Sequence, residues 1–414
     1  MNTTRPKILL SEGSSLSSRE AITALGLAGH RVELMSSDPM CLGRFSRFVT
    51  RVHATPASGS DPDGYLKAVL DAIRASAIDA VLPVHEQAYL FSAAKRLLPA
   101  DVGLALADFA AFEQVQSKAN LADLLTRLGV PQPPTTVVRS AAEFAQANAY
   151  PFFVKAAFGT ASLGVWRVKD ERERDTLAHQ LEQDDAFADG LLVQAAISGA
   201  LERTQAVFAH GRLVACHIYR QIAEGPGGGD VLKQSVVDRG VRATVEKIGG
   251  ALRWHGACSF DYIREGTSGR LYFIDANPRL VEPMNAWFSG VDLPGALLQV
   301  SLGEAAPTQA NGRDGVVTRL GVMGLLDAAR RRHRRRDVLG EIMQLATGSG
   351  RYRGAREELV PLWTDPWCVV PLAVVASRLL WQPKAAARLS ASTVAAYSLT
   401  ADAVHRLHMW QHSQ

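Results

Sequence analysis

Two aspartates on neighbouring strand-like runs give the strongest chemical signal in this chain. Asp261 lies in Ala257-Cys258-Ser259-Phe260-Asp261-Tyr262-Ile263. Asp275 lies in Leu271-Tyr272-Phe273-Ile274-Asp275-Ala276-Asn277-Pro278-Arg279. Between them, Glu265-Gly266-Thr267-Ser268-Gly269 reads as a turn by composition. A hairpin folded about Ser268 sets Asp261 directly across from Asp275. Side chains alternate faces along a strand. One face then carries Phe260, Tyr262, Tyr272 and Ile274, and the other carries Asp261, Phe273, Asp275, Asn277 and Arg279. Like charges in opposed positions are destabilising, so two carboxylates beside an asparagine ask for a cation. Oxygen-only ligands favour magnesium or manganese over zinc. The same acids also suit the solvated face of an ordinary hairpin, and a slip of one residue would undo the pairing.

A second feature suits phosphate. The run Pro151-Phe152-Phe153-Val154-Lys155 ends in a lysine and leads into Ala156-Ala157-Phe158-Gly159-Thr160-Ala161-Ser162-Leu163-Gly164. A fixed cation followed by a flexible loop, with Gly159, Ser162 and Gly164 in it, can present backbone N–H groups to an anion. It is not a Walker A loop, because the Gly-Lys-Ser/Thr ending and its helix are missing. Upstream, Ser117 caps a helix expected over 118–128, and Gly129-Val130-Pro131 ends it. Downstream, 190–197 reads as a strand, followed by Gly199 and Glu202 and a hairpin over 205–220 that turns at His210-Gly211-Arg212. The stretch 224–230 is Gly-rich and reads as mobile, and 241–253 reads as a helix.

The elements at the start of the chain are a strand at 7–11, a helix at 17–29, a strand at 31–35, a helix at 65–76 and a strand at 79–84. This is a Rossmann-like opening. Its first turn, Ser11-Glu12-Gly13-Ser14-Ser15, lacks the GxGxxG fingerprint, which argues against dinucleotide binding. Ligands of such sheets gather at the carboxyl ends of strands. Ser11, Glu12, His85 and Glu86 are therefore candidates on the substrate side, or else ordinary loop polars.

The bulk composition excludes several classes. With 414 residues the chain has room for two or three domains. Its 47% hydrophobic and 21% charged residues are those of a globular protein. A net charge of +4 does not by itself suggest nucleic acid. Cys41, Cys216, Cys258 and Cys368 are scattered, which fits no zinc knuckle or disulfide scaffold and fits a reducing cytoplasm. The first ten residues hold too short an apolar run for a signal peptide, and 366–377 is too short to span a bilayer.

Taken in order, these pieces resemble the ATP-grasp superfamily. Ser117-Lys118 with Gly129-Val130-Pro131 is similar to its first lysine helix. Phe153-Val154-Lys155 and the Gly-rich loop are similar to its second lysine and phosphate lid. Leu192-Val193-Gln194 with Glu202 resembles the adenine hinge and the ribose-binding acid. Phe260-Asp261-Tyr262 and Phe273-Ile274-Asp275-Ala276-Asn277-Pro278-Arg279 resemble the metal-binding strands. The family usually carries glutamate at the positions of Gln194 and Asp275. The resemblance covers roughly residues 7 to 305. It implies an α/β chain with a Rossmann-like pre-ATP-grasp domain over 1–115 and an ATP-grasp domain over 116–305. Within the latter, 116–190 would be the lid and 191–305 the metal and nucleotide part. A mostly helical extension would fill 306–414.

The resemblance also implies roles. ATP and Mg²⁺, or Mn²⁺, would be bound. Lys118 and Lys155 would meet the α/β-phosphates, and the loop with Gly159, Ser162 and Gly164 would cover the γ-phosphate. Val193 and Gln194 would meet adenine, and Glu202 the ribose. Asp261, Asp275 and Asn277 would hold metal. Arg279 would stabilise the transferring group, and Arg220 would bind an acceptor carboxylate bidentately. Lys233 and His255 lie nearby in sequence order, His255 as a strand start. Asn285, Trp287 and Asp292 belong to the segment that approaches substrate in the family. The implied reaction joins a small-molecule carboxylate, activated as an acyl phosphate, to an amine. No glutaminase or biotin-carrier segment is visible. Two readings stay open beside it: phosphorylation of bicarbonate, and a nucleotide-binding regulator without turnover.

The extension carries Arg330-Arg331-Arg332-His333-Arg334-Arg335-Arg336, with Trp363, Trp367 and Trp381 further on. The run reads either as a solvated helix end or as a contact with an acidic membrane surface. No nucleic-acid reader motif accompanies it. His405, His408 and His412 share a helix face by spacing, with no carboxylate to join them as metal ligands. The extension is expected to pack as helices on the body or across a homodimer interface.

Overall fold

A computed structural model describes residues 5–157, 164–188, 190–359, 363–389 and 399–412. The chain divides into two compact units. One comprises Met1–Phe109, Thr204–Ser259 and Arg279–Gln414. The other comprises Ala110–Arg203 and Phe260–Pro278.

The first unit opens with a parallel sheet built from β1 (Ile8–Leu10), β2 (Val32–Ser36), β3 (Val49–Ala54) and β4 (Ala80–Leu82), in the order β3-β2-β1-β4. Parallel strands buried on both faces read as short runs of Ile, Leu and Val, and Ile8, Leu9 and Leu10 are fully buried. Ser15 caps the helix Leu16–Leu27 by accepting the Ser18 N–H. Asp61 does the same for the helix Pro62–Ser76 through Gly64.

In the second unit, β5 (Thr135–Val138), β6 (Phe152–Ala156), β7 (Val165–Val168) and β8 (Leu191–Ala195) form an antiparallel sheet in the order β5-β8-β6-β7. Phe152 and Val154 join Val138, Phe144, Leu177 and Leu181 in its core. Alternation then sends Phe153 and Lys155 to the other face. This unit also holds the start of β9 (Gly199–Ala209), most of β12 (Gly256–Glu265) and all of β13 (Leu271–Asn277), in the order β13-β12-β9.

The rest of β9 returns to the first unit, where β10 (Arg212–Glu224), β11 (Asp230–Val236), β14 (Val317–Arg319) and β15 (Arg356–Glu357) follow it in the order β9-β10-β11-β14-β15. The turn between β9 and β10 places His210 at φ 50° and Gly211 at φ 90°, a left-handed pair that suits a tight hairpin. The Gly-rich stretch after β10 is a closed loop, with the Gly225 N–H donating to the Gly229 carbonyl at 2.7 Å.

The extension is mostly helical, with Gly321–Arg332, Arg335–Thr347, Val369–Trp381 and Ala401–His412. It is an integral part of the first unit, because β14 and β15 extend its sheet and Asp365 pairs with the buried Arg19 at 2.8 Å. His408 lies 2.8 Å from the Tyr89 hydroxyl. Among the described residues, no helix is long and apolar enough to cross a membrane. All four cysteines are buried and unbridged.

Candidate active site

The charged residues of the second unit gather around Lys155. Its position on β6 faces away from the core, yet the side chain is buried. The ammonium donates to Gln194 Oε1 and to the Ile274 carbonyl, each at 2.8 Å. Gln194 is fixed in turn, its amide donating to Thr135 Oγ1 at 3.0 Å. Burial depresses the Lys155 pKa from 10.5 to about 8. Asp275 and Asp261 pull it back up, and Lys118 pushes it further down.

Lys118 opens the helix Lys118–Arg127, directly after the cap Ser117. Its ammonium lies 3.4 Å from Asp275 Oδ1. Asp261 meets Arg203 Nε at 3.4 Å. Two lysines, an arginine and two aspartates thus share one neighbourhood, and all the anionic donors are carboxylate oxygens. That donor set suits a hard divalent cation. Asn277 ends β13, and Val193 sits half-buried on β8, paired with Val154 and Thr136. Gly164 takes φ 74° and its carbonyl accepts the Ala156 N–H at 2.8 Å. Gly159 and Ser162 lie outside the described residues.

One expectation about this region is corrected, the placement of Phe273. Across the turn between β12 and β13 the Glu265 N–H donates to the Arg270 carbonyl at 2.9 Å, and the Phe273 ring lies tilted with its centre 5.3 Å from that of Tyr262. Phe273 is not on the acidic face: aromatic packing buries it with Phe260 and Tyr262. Glu202 lies on β9. It is fully buried, accepts from the Tyr262 hydroxyl at 2.8 Å, and pairs with Arg264 at 2.9 Å. Its carboxylate is held within this network.

The first unit holds a second group. Arg279 is buried and pairs with Glu86 at 3.2 Å. Burial, followed by the Arg279 charge, holds the His85 pKa well below 6.5. Burial raises the Glu12 pKa, against Ser14, Ser15 and the pull of Arg279. Glu12, His85 and Glu86, read in the sequence as strand-end polars, are thus brought together with Arg279. Ser11 is buried as well, accepting the Val84 N–H on its hydroxyl at 3.1 Å.

A third group centres on Lys233 of β11. Its ammonium meets Glu282 at 2.5 Å and Glu358 at 2.8 Å. Glu20, Glu282 and Glu358 offer oxygens within 4.8 Å of one another. Burial works to lower the Lys233 pKa, and Glu282, Glu358 and Glu20 overcome it, so that the pKa is raised well above 10.5. The lysine offsets part of the charge of this acid cluster. Glu358 also accepts from Thr318 at 2.5 Å, Thr318 accepts from Asn285 at 2.6 Å, and Asn285 meets His217 at 2.7 Å. Sequence reasoning missed Glu20, Glu282 and Glu358 as partners of Lys233, because they are scattered over more than 300 residues.

The remaining candidates have mixed placements. Arg220 is half-buried on β10, paired through its backbone with Gln234. His255 stacks on His210 at 4.0 Å, and burial with that neighbour takes its pKa to about 4. Asp292 caps the helix Leu293–Ser301 through the Gly295 N–H. Trp287 lies half-buried on the helix Met284–Ser289.

No protein-family model matches the chain. Among curated proteins, it is 28% identical over 178 residues to acetyl-CoA carboxylase 2 of Oryza sativa, covering 41% of this chain and 8% of that protein. It is 26% identical over 211 residues to the biotin carboxylase of Pseudomonas aeruginosa, covering 45% of each. The match therefore spans less than half the length of these relatives. Among solved structures, the chain is similar to the biotin carboxylase domain of Hydrogenobacter thermophilus 2-oxoglutarate carboxylase, with TM-score 0.60, 16% identity and coverage of 76% and 74%. It is similar to the L-amino acid ligase of Bacillus licheniformis, with TM-score 0.55, 18% identity and coverage of 73% and 75%. It is also similar to the N5-carboxyaminoimidazole ribonucleotide synthetase PurK in its ADP complex, with TM-score 0.61, 13% identity and coverage of 85% and 90%. The fold these proteins share is the ATP-grasp fold, and it is the fold of this chain.

Proposed function

We propose that this protein is an ATP-dependent ligase that activates a carboxylate as an acyl phosphate and joins it to an amine. The observation that carries the reading is the buried Lys155, held beside Lys118, Asp275 and Asp261. A buried cation set against oxygen donors suits the phosphates of MgATP. The solved neighbours include complexes with ADP, one of them with magnesium. Lys118 and Lys155 would hold phosphate oxygens in place. Asp261, Asp275 and Asn277 would hold magnesium, which when bound would neutralise charge on the phosphates. Val193 and Gln194 would position the nucleotide base.

The reaction asks the chain mainly for placement and charge stabilisation. A carboxylate oxygen attacks the γ-phosphorus and ADP leaves. The amine nitrogen then attacks the acyl carbon, phosphate leaves, and the nitrogen gives up a proton. Arg279 would stabilise the charge developing on oxygen, and Arg220 would bind the carboxylate of the acceptor. Glu12 and Glu86 beside Arg279 give this region acidic surroundings that suit a substrate ammonium.

A second reading, transfer of phosphate to bicarbonate, is supported by the carboxylases among the relatives. One experiment separates the two. Phosphate release is measured with ATP and magnesium across paired carboxylates and amines, and with bicarbonate alone, and the products are identified by mass spectrometry. Release that needs both a carboxylate and an amine, with an amide product, supports the ligase. Release with bicarbonate alone supports the second reading. No release under any condition counts against both.

A further inference from the structure

The extension presents a face that the ligase chemistry does not use. Helices Gly321–Arg332, Arg335–Thr347 and Val369–Trp381 pack together through Leu325, Leu326, Ala329, Val338 and Leu379. Away from that core, the last helix stays apolar. Val374 and Trp381, seven residues apart, share one side of it, and Trp367 lies in the 3-10 turn Pro366–Cys368 that leads into it. Trp367, Val374 and Trp381 are 62%, 59% and 80% exposed. On helix Arg335–Thr347, Arg335, Leu339 and Met343 recur every four residues, and all three are exposed. Trp363 is 97% exposed. Tryptophan is seldom so uncovered in a protein surface.

The charge on this face is one-sided. The arginine run forms the corner between two helices, with His333 at φ 51° making the break. Arg330, Arg331, Arg334, Arg335 and Arg336 are exposed there, as is Arg378 on the apolar helix. The Arg335 guanidinium donates to the Trp381 carbonyl at 3.0 Å, so the basic corner adjoins the end of the apolar stripe. Between residues 321 and 389, no described acidic residue is exposed.

We propose that this face lies on an anionic lipid surface. The tryptophans and aliphatic side chains would enter the headgroup layer, and the arginines would pair with lipid phosphates. With no described helix able to cross a bilayer, the chain would rest on the surface. A two-fold contact between copies through this face would set the arginine corner against its own kind, which is repulsive. Nucleic acid would use the arginines but would leave the aliphatic stripe in water.

The test is sedimentation of the full chain with vesicles of phosphatidylcholine alone, and of phosphatidylcholine mixed with phosphatidylglycerol. The expected result is binding to the mixed vesicles that weakens with salt, with a blue shift of tryptophan emission. Arg334→Gln/Arg335→Gln/Arg336→Gln should lower the partition by about 10²-fold. Trp367→Ser/Trp381→Ser should lower it by about 10-fold or more, with an unchanged circular dichroism spectrum. Equal partition on both vesicle types, no partition at all, or a tryptophan variant that binds as the wild type does would each overturn the proposal. A lipid-free dimer that dissociates on Trp381→Ser would assign the face to a second copy. Binding to duplex DNA in preference to mixed vesicles would assign it to nucleic acid.

Discussion

The Lys155 ammonium lies 2.8 Å from Gln194 Oε1, a neutral acceptor where the ATP-grasp family usually has a carboxylate. The lysine therefore gains a hydrogen bond without a full countercharge. Burial accordingly wins, and its pKa is about 8. The native state binds fewer protons here than the unfolded chain between about 8 and 10.5, so this group's contribution to stability rises with pH across that window. Function runs the other way. MgATP affinity should fall as pH rises through about 8 in the free protein, measured by titration calorimetry. Lys155→Arg should remove that alkaline limb, because guanidinium stays charged.

Gln194→Glu tests the same relationship from the other side. A carboxylate in hydrogen-bond reach favours the charged lysine. The alkaline limb should move up by about one pH unit or more. A limb that stays in place would assign it to another group.

Asp275 touches Lys118 and is the largest favourable charge on Lys155. Its removal should lower phosphate-release turnover by about 10²-fold or more, the scale of losing one transition-state partner. It should also shift the alkaline limb of binding downward, since Lys155 then faces Lys118 with less compensation. Near-normal turnover with an unmoved limb would count against both assignments.

Much of this neighbourhood was legible because local chemistry marks it. Ser117 announces the helix that carries Lys118, and the apolar run before Lys155 marks a strand with a cation at its end. The parallel opening sheet follows from short Ile, Leu and Val runs. What was illegible depends on packing. Tyr262 offers Phe273 an aromatic partner, and that contact takes Phe273 into the core instead of onto the acidic face. Glu202 finds Arg264 only once β9 and β12 lie side by side. Lys233 gathers acids from positions 20, 282 and 358, and no local pattern links these.

The Lys233 cluster makes paired predictions of opposite sign. Three carboxylates, two of them buried, share one ammonium, so acids are in excess, and Lys233 pairs directly with Glu282 and Glu358. Glu20 carries part of this excess: burial, Glu358 and Glu282 raise its pKa well above 4.5, against Lys233. A raised carboxyl pKa supports the fold below about 4.5, and that support is lost as pH rises through the raised value. Glu20→Gln should therefore stabilise the protein at neutral pH by about 1–2 kcal/mol, with the gain vanishing in acid. Glu358→Ala should destabilise it by about 2 kcal/mol or more, because Lys233 loses a countercharge and Thr318 an acceptor. Urea unfolding at two pH values reads both.

Asp365 anchors the extension in the same physical terms. Its carboxylate accepts from Arg19 at 2.8 Å, Ser46 at 2.5 Å and the Arg47 N–H at 2.9 Å, all at a fully buried position. Asp365→Ala leaves an uncompensated buried guanidinium and two further donors without an acceptor. The expected loss is about 3–5 kcal/mol, far above that of a surface pair. Asp365→Asn keeps an acceptor of the same shape but loses the charge, so it should recover only part of that loss. If the extension were a detachable appendage, the main unfolding transition would be unchanged in Asp365→Ala. If it is part of the first unit, as β14 and β15 require, the whole transition moves together to lower urea.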